Sequence, residues 1–120
     1  MTTLRVGRRG GLILQFSISG HADFAPRGRD IVCAAASILM TTCVNALESV
    51  GQVIPLVEQC EKGARNPLRW CRMRLTLPEG VTDQAMETAQ IILRTGLQGF
   101  MDLSLVYPKY FRIIDGRNLL

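Results

Sequence analysis

The chain predicts an α+β fold: a two-layer sandwich in the order β-β-α-β-β-α, with two helices packed on one face of a mostly antiparallel sheet. Three observations carry that expectation. Residues 12–19 alternate apolar and polar side chains, residues 30–50 form an apolar, alanine-rich run without Gly or Pro, and residues 82–106 carry an apolar stripe at helical spacing. Two extended pairs, each followed by a helix, build such a sandwich. No repeat and no linker interrupts the 120 residues, so 1–120 reads as a single domain.

Leu4-Arg5-Val6 reads as a strand and Arg9-Gly10-Gly11 as the turn after it. In the next strand Leu12, Leu14, Phe16 and Ile18 are expected on one face, with Ile13, Gln15, Ser17 and Ser19 on the other. Residues 20–29 hold two glycines and a proline without periodicity, a loop long enough to suggest function. Asp30 suits the N-cap of a first helix reaching about Val50, with Gly51 as its C′ residue. Leu56–Cys60 and Leu68–Leu77 form the second extended pair around turn residues 61–67. The second strand should turn Cys71, Met73, Leu75 and Leu77 inward and Trp70, Arg72, Arg74 and Thr76 outward. Thr82 or Asp83 caps the second helix, whose stripe is Ala85, Ala89, Ile92, Gly96 and Leu103, widened by Met86, Leu93, Leu97 and Met101. Pro108 stops it, and Tyr110–Ile114 can add a last strand.

Composition narrows the function classes. The N-terminus lacks the apolar core of a signal peptide, and no run of about eighteen uncharged apolar residues is found, so a cytoplasmic protein without a membrane span is expected. Four scattered cysteines and one histidine do not match a zinc site, and free thiols, no metal and no cofactor are expected. The net charge of +4 sets fourteen basic residues, twelve of them arginine and two lysine, against ten acidic ones. Arginine suits carboxylate or phosphate contacts, but no phosphate loop, dinucleotide fingerprint or nucleic-acid motif accompanies it, so direct nucleic-acid contact is not expected.

The chemistry-bearing candidates are His21 and Cys33. With Asp30 as N-cap, Cys33 is the third helical residue, near backbone N–H groups and the positive end of the helix dipole, a setting that favours a thiolate. The only imidazole, His21, ends the preceding strand and could take the thiol proton while Cys33 attacks a carbonyl. The helix start could supply an oxyanion hole through the Cys33 N–H or its neighbours. Asp30 reads as a cap that could also orient His21. Ser37 lies one turn past Cys33, Gly20 and Gly28 let the loop bend, and Ala34, Ala35 and Ala36 keep the helix flank thin beside a substrate. Spacing alone favours reading Cys33 as a small packing residue and His21 as a capping or surface residue. Cys43, Cys60 and Cys71 read as packing.

Gly20-His21-Ala22, followed by Gly28-x-Asp30-Ile31-Val32-Cys33-Ala34-Ala35-x-Ser37, resembles the signature of the ribosomal-processing cysteine protease family, Prp. Thr42-x-x-Asn45-x-Leu47-Glu48 and Tyr107-Pro108-Lys109-Tyr110 resemble the family's first helix and C-terminal end. The resemblance implies a cysteine endopeptidase that removes an apolar N-terminal extension, ending in an aromatic pair, from the precursor of large-subunit ribosomal protein twenty-seven. It implies Cys33 as nucleophile, His21 as general base and acid, and a homodimer. It also implies a mobile substrate loop between the two, here Ala22, Asp23, Phe24, Ala25, Pro26, Arg27, Gly28 and Arg29. Gly20, Asp30 and Ser37 are expected to support the pair, and the resemblance settles no third catalytic residue. Ala36, where the family often carries a larger aliphatic residue, is expected on the substrate side. Two other readings stand beside the peptidase: a non-catalytic ribosome-assembly factor holding the same N-terminal segment, and an acyl-transfer or thioesterase activity of the same pair.

Overall fold

In a computed structural model, described for residues 1–26, 29–59 and 71–117, the chain runs β1 (Thr2–Arg9), β2 (Leu12–Ser19), α1 (Ile31–Ser49), β3 (Leu56–Gln59), β4 (Cys71–Thr76), α2 (Asp83–Val106) and β5 (Phe111–Arg117). The five strands lie in the order β3-β4-β2-β1-β5. All neighbours are antiparallel except β1 and β5, which pair in parallel from Thr2↔Phe111 to Arg8↔Arg117. The expected tail strand therefore closes the sheet at the far edge from β3. At about 1.5 Å per residue, α2 spans roughly 36 Å, enough to carry the chain across the sheet between β4 and β5.

Leu4, Val6, Phe16, Ile18 and Leu75 present one buried face of the sheet to the helices. From α1 come Val32, Ala36, Met40, Cys43 and Leu47; from α2 come Ala89, Leu93, Leu97, Phe100 and Leu103. Phe100, absent from the expected stripe, is fully buried, edge-on to Phe16 at 5.8 Å and stacked on Phe111 at 5.9 Å. Met101 instead faces solvent. Gly96 and Gly99 let α2 approach α1, because a Cβ on either would press into Cys43 or Leu39 respectively.

Two local expectations need correction. The alternation of β2 breaks where the register shifts: Gly7 pairs Gln15, but Arg8 pairs Ile13, leaving Leu14 as an extra residue. The bulge turns Ile13 into the core, while Leu12 is exposed and Leu14 half-buried. Beyond the end of β4, Ile13 completes its backbone pairing with a side chain. Its N–H donates to Gln90 Oε1 and its carbonyl accepts from Gln90 Nε2, each at 2.8 Å. Gly51 does follow α1 but does not take the left-handed turn; Gln52 does, at φ 54°. Gly51 is needed for space, since its Cβ would stand 2.9 Å from the Leu47 carbonyl oxygen. By length and composition alone, α1, 19 residues long with mean hydropathy 1.7, is long and apolar enough to cross a membrane, although Asp30 and Glu48 bound its uncharged run. Val32, Ala36, Met40, Cys43 and Leu47 of this helix line the core, while Ile31 and Ile38 are exposed.

Leu75 on β4 and Leu77 just past its end turn inward as expected, and Met73 is half-buried. Cys60, the 61–67 turn, residues 68–70, Arg27 and Gly28 lie outside the described residues, as do the side chains of Cys71 and Arg72.

Candidate active site

The site is built where the 20–29 loop crosses the start of α1. Asp30 is the N-cap, and its Oδ1 accepts from the Val32 and Cys33 N–H groups, each at 3.0 Å. Its other oxygen, Oδ2, accepts from the Phe24 N–H at 3.1 Å, so one carboxylate ties the loop to the helix. Burial works against ionisation, yet the Cys33 and Phe24 amides, the Cys33 thiol and the Ala25 amide together hold the Asp30 carboxyl below the usual carboxylate range.

Cys33 is a half-buried free thiol, and its Sγ accepts from the Ala22 N–H at 3.5 Å. Ala22 is itself buried, whereas His21 is exposed. The fold thus brings the residue next to His21 against the thiol. The His21 carbonyl accepts from the Met1 amino group, and Gly20 before it has φ 80° in a place where a Cβ would collide with the Met1 carbonyl. Glycine at 20 is therefore demanded twice, by conformation and by space.

The amides first expected to be open at the helix start are engaged. Those of Val32 and Cys33 donate to Asp30 Oδ1, and that of Ala34 donates to the Asp30 carbonyl at 3.0 Å. In this arrangement the Cys33 N–H serves the cap and is not open for an oxyanion. Ser37 sits exposed one turn beyond Cys33. Ala36, expected beside a substrate, is instead fully buried in the core, because it lies on the same face of α1 as Val32, Met40 and Cys43. The outer flank is formed by exposed Ile31, Ala34 and Ile38.

Sequence reasoning missed how the loop is anchored. The Phe24 ring meets Tyr107 at 5.3 Å and Tyr110 at 5.1 Å, both edge-to-face. The available signal was the aromatic pair flanking Pro108. Between Ala22 and Phe24, Asp23 adopts φ 58°, a left-handed conformation that aspartate tolerates better than most residues. Its carboxylate lies 3.8 Å from the Met1 amino group, an exposed pair of little energetic consequence. Arg29 is exposed, and its N–H donates to the Pro26 carbonyl. Among the described residues no group of three or more His, Cys, Asp or Glu could hold a metal.

Comparison with known proteins gives this geometry a context. Residues 1–112 match the family model described as Cysteine protease Prp. A Bacillus subtilis protein named ribosomal processing cysteine protease Prp is 31% identical over 81 residues, covering 68% of this chain and 66% of that protein. The Staphylococcus aureus protein of the same name is 27% identical over 103 residues, covering 86% and 87% respectively. Among solved structures, the ribosomal processing protease Prp from S. aureus with a covalently linked product peptide superposes with TM-score 0.80 at 25% identity. It covers 97% of this chain and 100% of that one. A Streptococcus mutans protein, SMU.848, also reaches 0.80 at 26% identity, covering 98% and 96%. With the family model spanning nearly the whole chain and the fold shared, the chain belongs to the Prp family of cysteine proteases.

Proposed function

We propose that this chain is a cysteine endopeptidase in which Cys33 is the nucleophile and His21 the general base and acid. The observation that carries the reading is the seating of the Cys33 thiol at the capped start of α1, against the backbone N–H of the residue after the only histidine. His21 takes the Sγ proton, and the thiolate attacks the scissile carbonyl carbon. The C–N bond then breaks as the imidazolium returns the proton to the leaving amine. Water, deprotonated by His21, hydrolyses the thioester and releases the acyl product as a carboxylic acid, regenerating the thiol. Asp30 holds the helix start and the loop in register, and no cofactor enters the scheme.

The proposed substrate is the N-terminally extended precursor of large-subunit ribosomal protein twenty-seven, processed in the cytoplasm by a homodimer. Support comes from family membership, from the peptide bound to the S. aureus protein, and from the exposed apolar flank of α1 beside Cys33. The test is incubation of the native protein, Cys33→Ser and His21→Ala with that precursor. A shortened product is expected from the native protein alone. Equal processing by native and Cys33→Ser would overturn the mechanism, and tight binding by all three without cleavage would favour the non-catalytic assembly factor.

A further inference from the structure

We infer that Phe24 is a positioning residue: its ring, clasped by Tyr107 and Tyr110, sets the loop in the conformation that presents His21 to Cys33. The assignment rests on the Cys33–His21 reading above and adds the element that holds the pair in register. Three independent contacts converge on residues 22–24. The Ala22 N–H reaches Cys33 Sγ at 3.5 Å, the Phe24 N–H reaches Asp30 Oδ2 at 3.1 Å, and the Phe24 ring packs edge-to-face on both tyrosines. The first two are single hydrogen bonds at a partly exposed surface, where water competes. The aromatic contacts are the apolar fastening of the segment, and they lie on a different part of the fold, the junction of α2 with β5. The left-handed turn at Asp23 makes the arrangement dependent on that fastening. It spends backbone energy so that the Ala22 N–H faces the thiol while the next ring reaches the tyrosines. Phe24 remains 38% exposed, so its role is not that of a core side chain.

Two edge-to-face contacts together bias the docked loop by roughly tenfold to a hundredfold. The full chain is compared with Phe24→Ala, Phe24→Tyr and Tyr110→Leu, by amide hydrogen exchange and by precursor cleavage. In Phe24→Ala, exchange at Ala22 should accelerate by at least about tenfold, with core amides such as Leu47 and Leu93 unchanged. In the same variant kcat should fall by a similar factor, with KM moving less than about threefold. Phe24→Tyr should restore both readouts. Tyr110→Leu should shift them in the same direction, and adding it to Phe24→Ala should bring little further change, because both act through one contact. Unchanged Ala22 exchange in Phe24→Ala, or cleavage by Phe24→Ala as fast as by the native protein or faster, would overturn the assignment. Failure of the peptidase reading shows separately, as absence of cleavage by the native protein, whereas exchange at Ala22 reports on the clasp without any turnover.

Discussion

Replacing Gly96 with alanine probes the closest approach of the two helices. A Cβ at 96 would lie well inside 3.0 Å of Cys43 Sγ and 3.7 Å from Phe16 Cε2. Cys43 is 3% exposed and Phe16 fully buried, so neither neighbour has open space into which to retreat. Overpacking of this kind costs about 1–3 kcal/mol. Alanine in a helix interior gains about 1 kcal/mol over glycine. With rigid neighbours the cost stands near its upper end, leaving a net destabilisation of about 1–2 kcal/mol. Gly99 is the control. Its Cβ would stand 2.6 Å from Leu39 Cδ2, but that methyl is the far end of a flexible, half-buried side chain that can rotate away. There the propensity gain offsets the contact, and Gly99→Ala should be neutral or stabilising by up to about 1 kcal/mol. Thermal denaturation followed by circular dichroism should show Gly96→Ala about 4–8 °C below the native protein and Gly99→Ala unchanged or higher. Adding Cys43→Ala to Gly96→Ala should recover stability, with a coupling of about 1 kcal/mol or more. Equal melting of the two glycine variants, or simple additivity with Cys43→Ala, would refute the reasoning.

Other expectations follow from the site and its supports. Asp30→Ala should cost about 1–2 kcal/mol in urea denaturation, because it removes the acceptor of the Val32, Cys33 and Phe24 amides. The Asp30 carboxyl titrates below its ordinary value in the folded chain, so its contribution is present above about pH 4 and lost as pH falls through the lower folded value. Asp30→Asn should accordingly show a flatter decline of stability as pH falls below about 4, and an unchanged profile would contradict the assignment. Iodoacetamide near neutral pH should label Cys33 well ahead of Cys43, whose thiol burial pushes up to about 11; peptide mapping by mass spectrometry reads the ratio. Gln90→Leu should cost about 1–3 kcal/mol by stranding the Ile13 N–H and carbonyl at the β2 bulge, as measured by urea titration.

Much of the architecture was legible because its signals are local. Asp30 and Thr82 announce the two helix starts through short side chains that accept nearby backbone amides, and both do so in the structure. The hairpin around Gly10 and Gly11, both at positive φ, was equally visible, as was the end of α2 before Pro108. Phe100 and Leu93 belong to a helix whose length and period were evident even where the exact stripe was not. The resemblance around His21 and Cys33 pointed to the family that the comparisons then showed.

What required the tertiary structure was every feature set by partners distant in sequence. The bulge at Leu14 reverses the face of Ile13 because β1 and Gln90, 77 residues downstream of Ile13, dictate its backbone pairing. Ala36 goes to the core because α2 and the sheet close over that face of α1, a fact no local spacing conveys. The parallel pairing of β5 with β1 depends on how α2 crosses the sheet. Around Cys33, composition and spacing determined which chemical groups were available: one histidine, a cysteine in the first helical turn and a capping carboxylate. Only the folded chain decided their use. Asp30 takes the Cys33 amide for the cap, Ala22 rather than a more distant group donates to the thiol, and Phe24 is pinned by tyrosines more than eighty residues away. Caps and periodicities are short-range and written residue by residue, whereas hydrogen-bond partners across the fold exist only once the layers have packed.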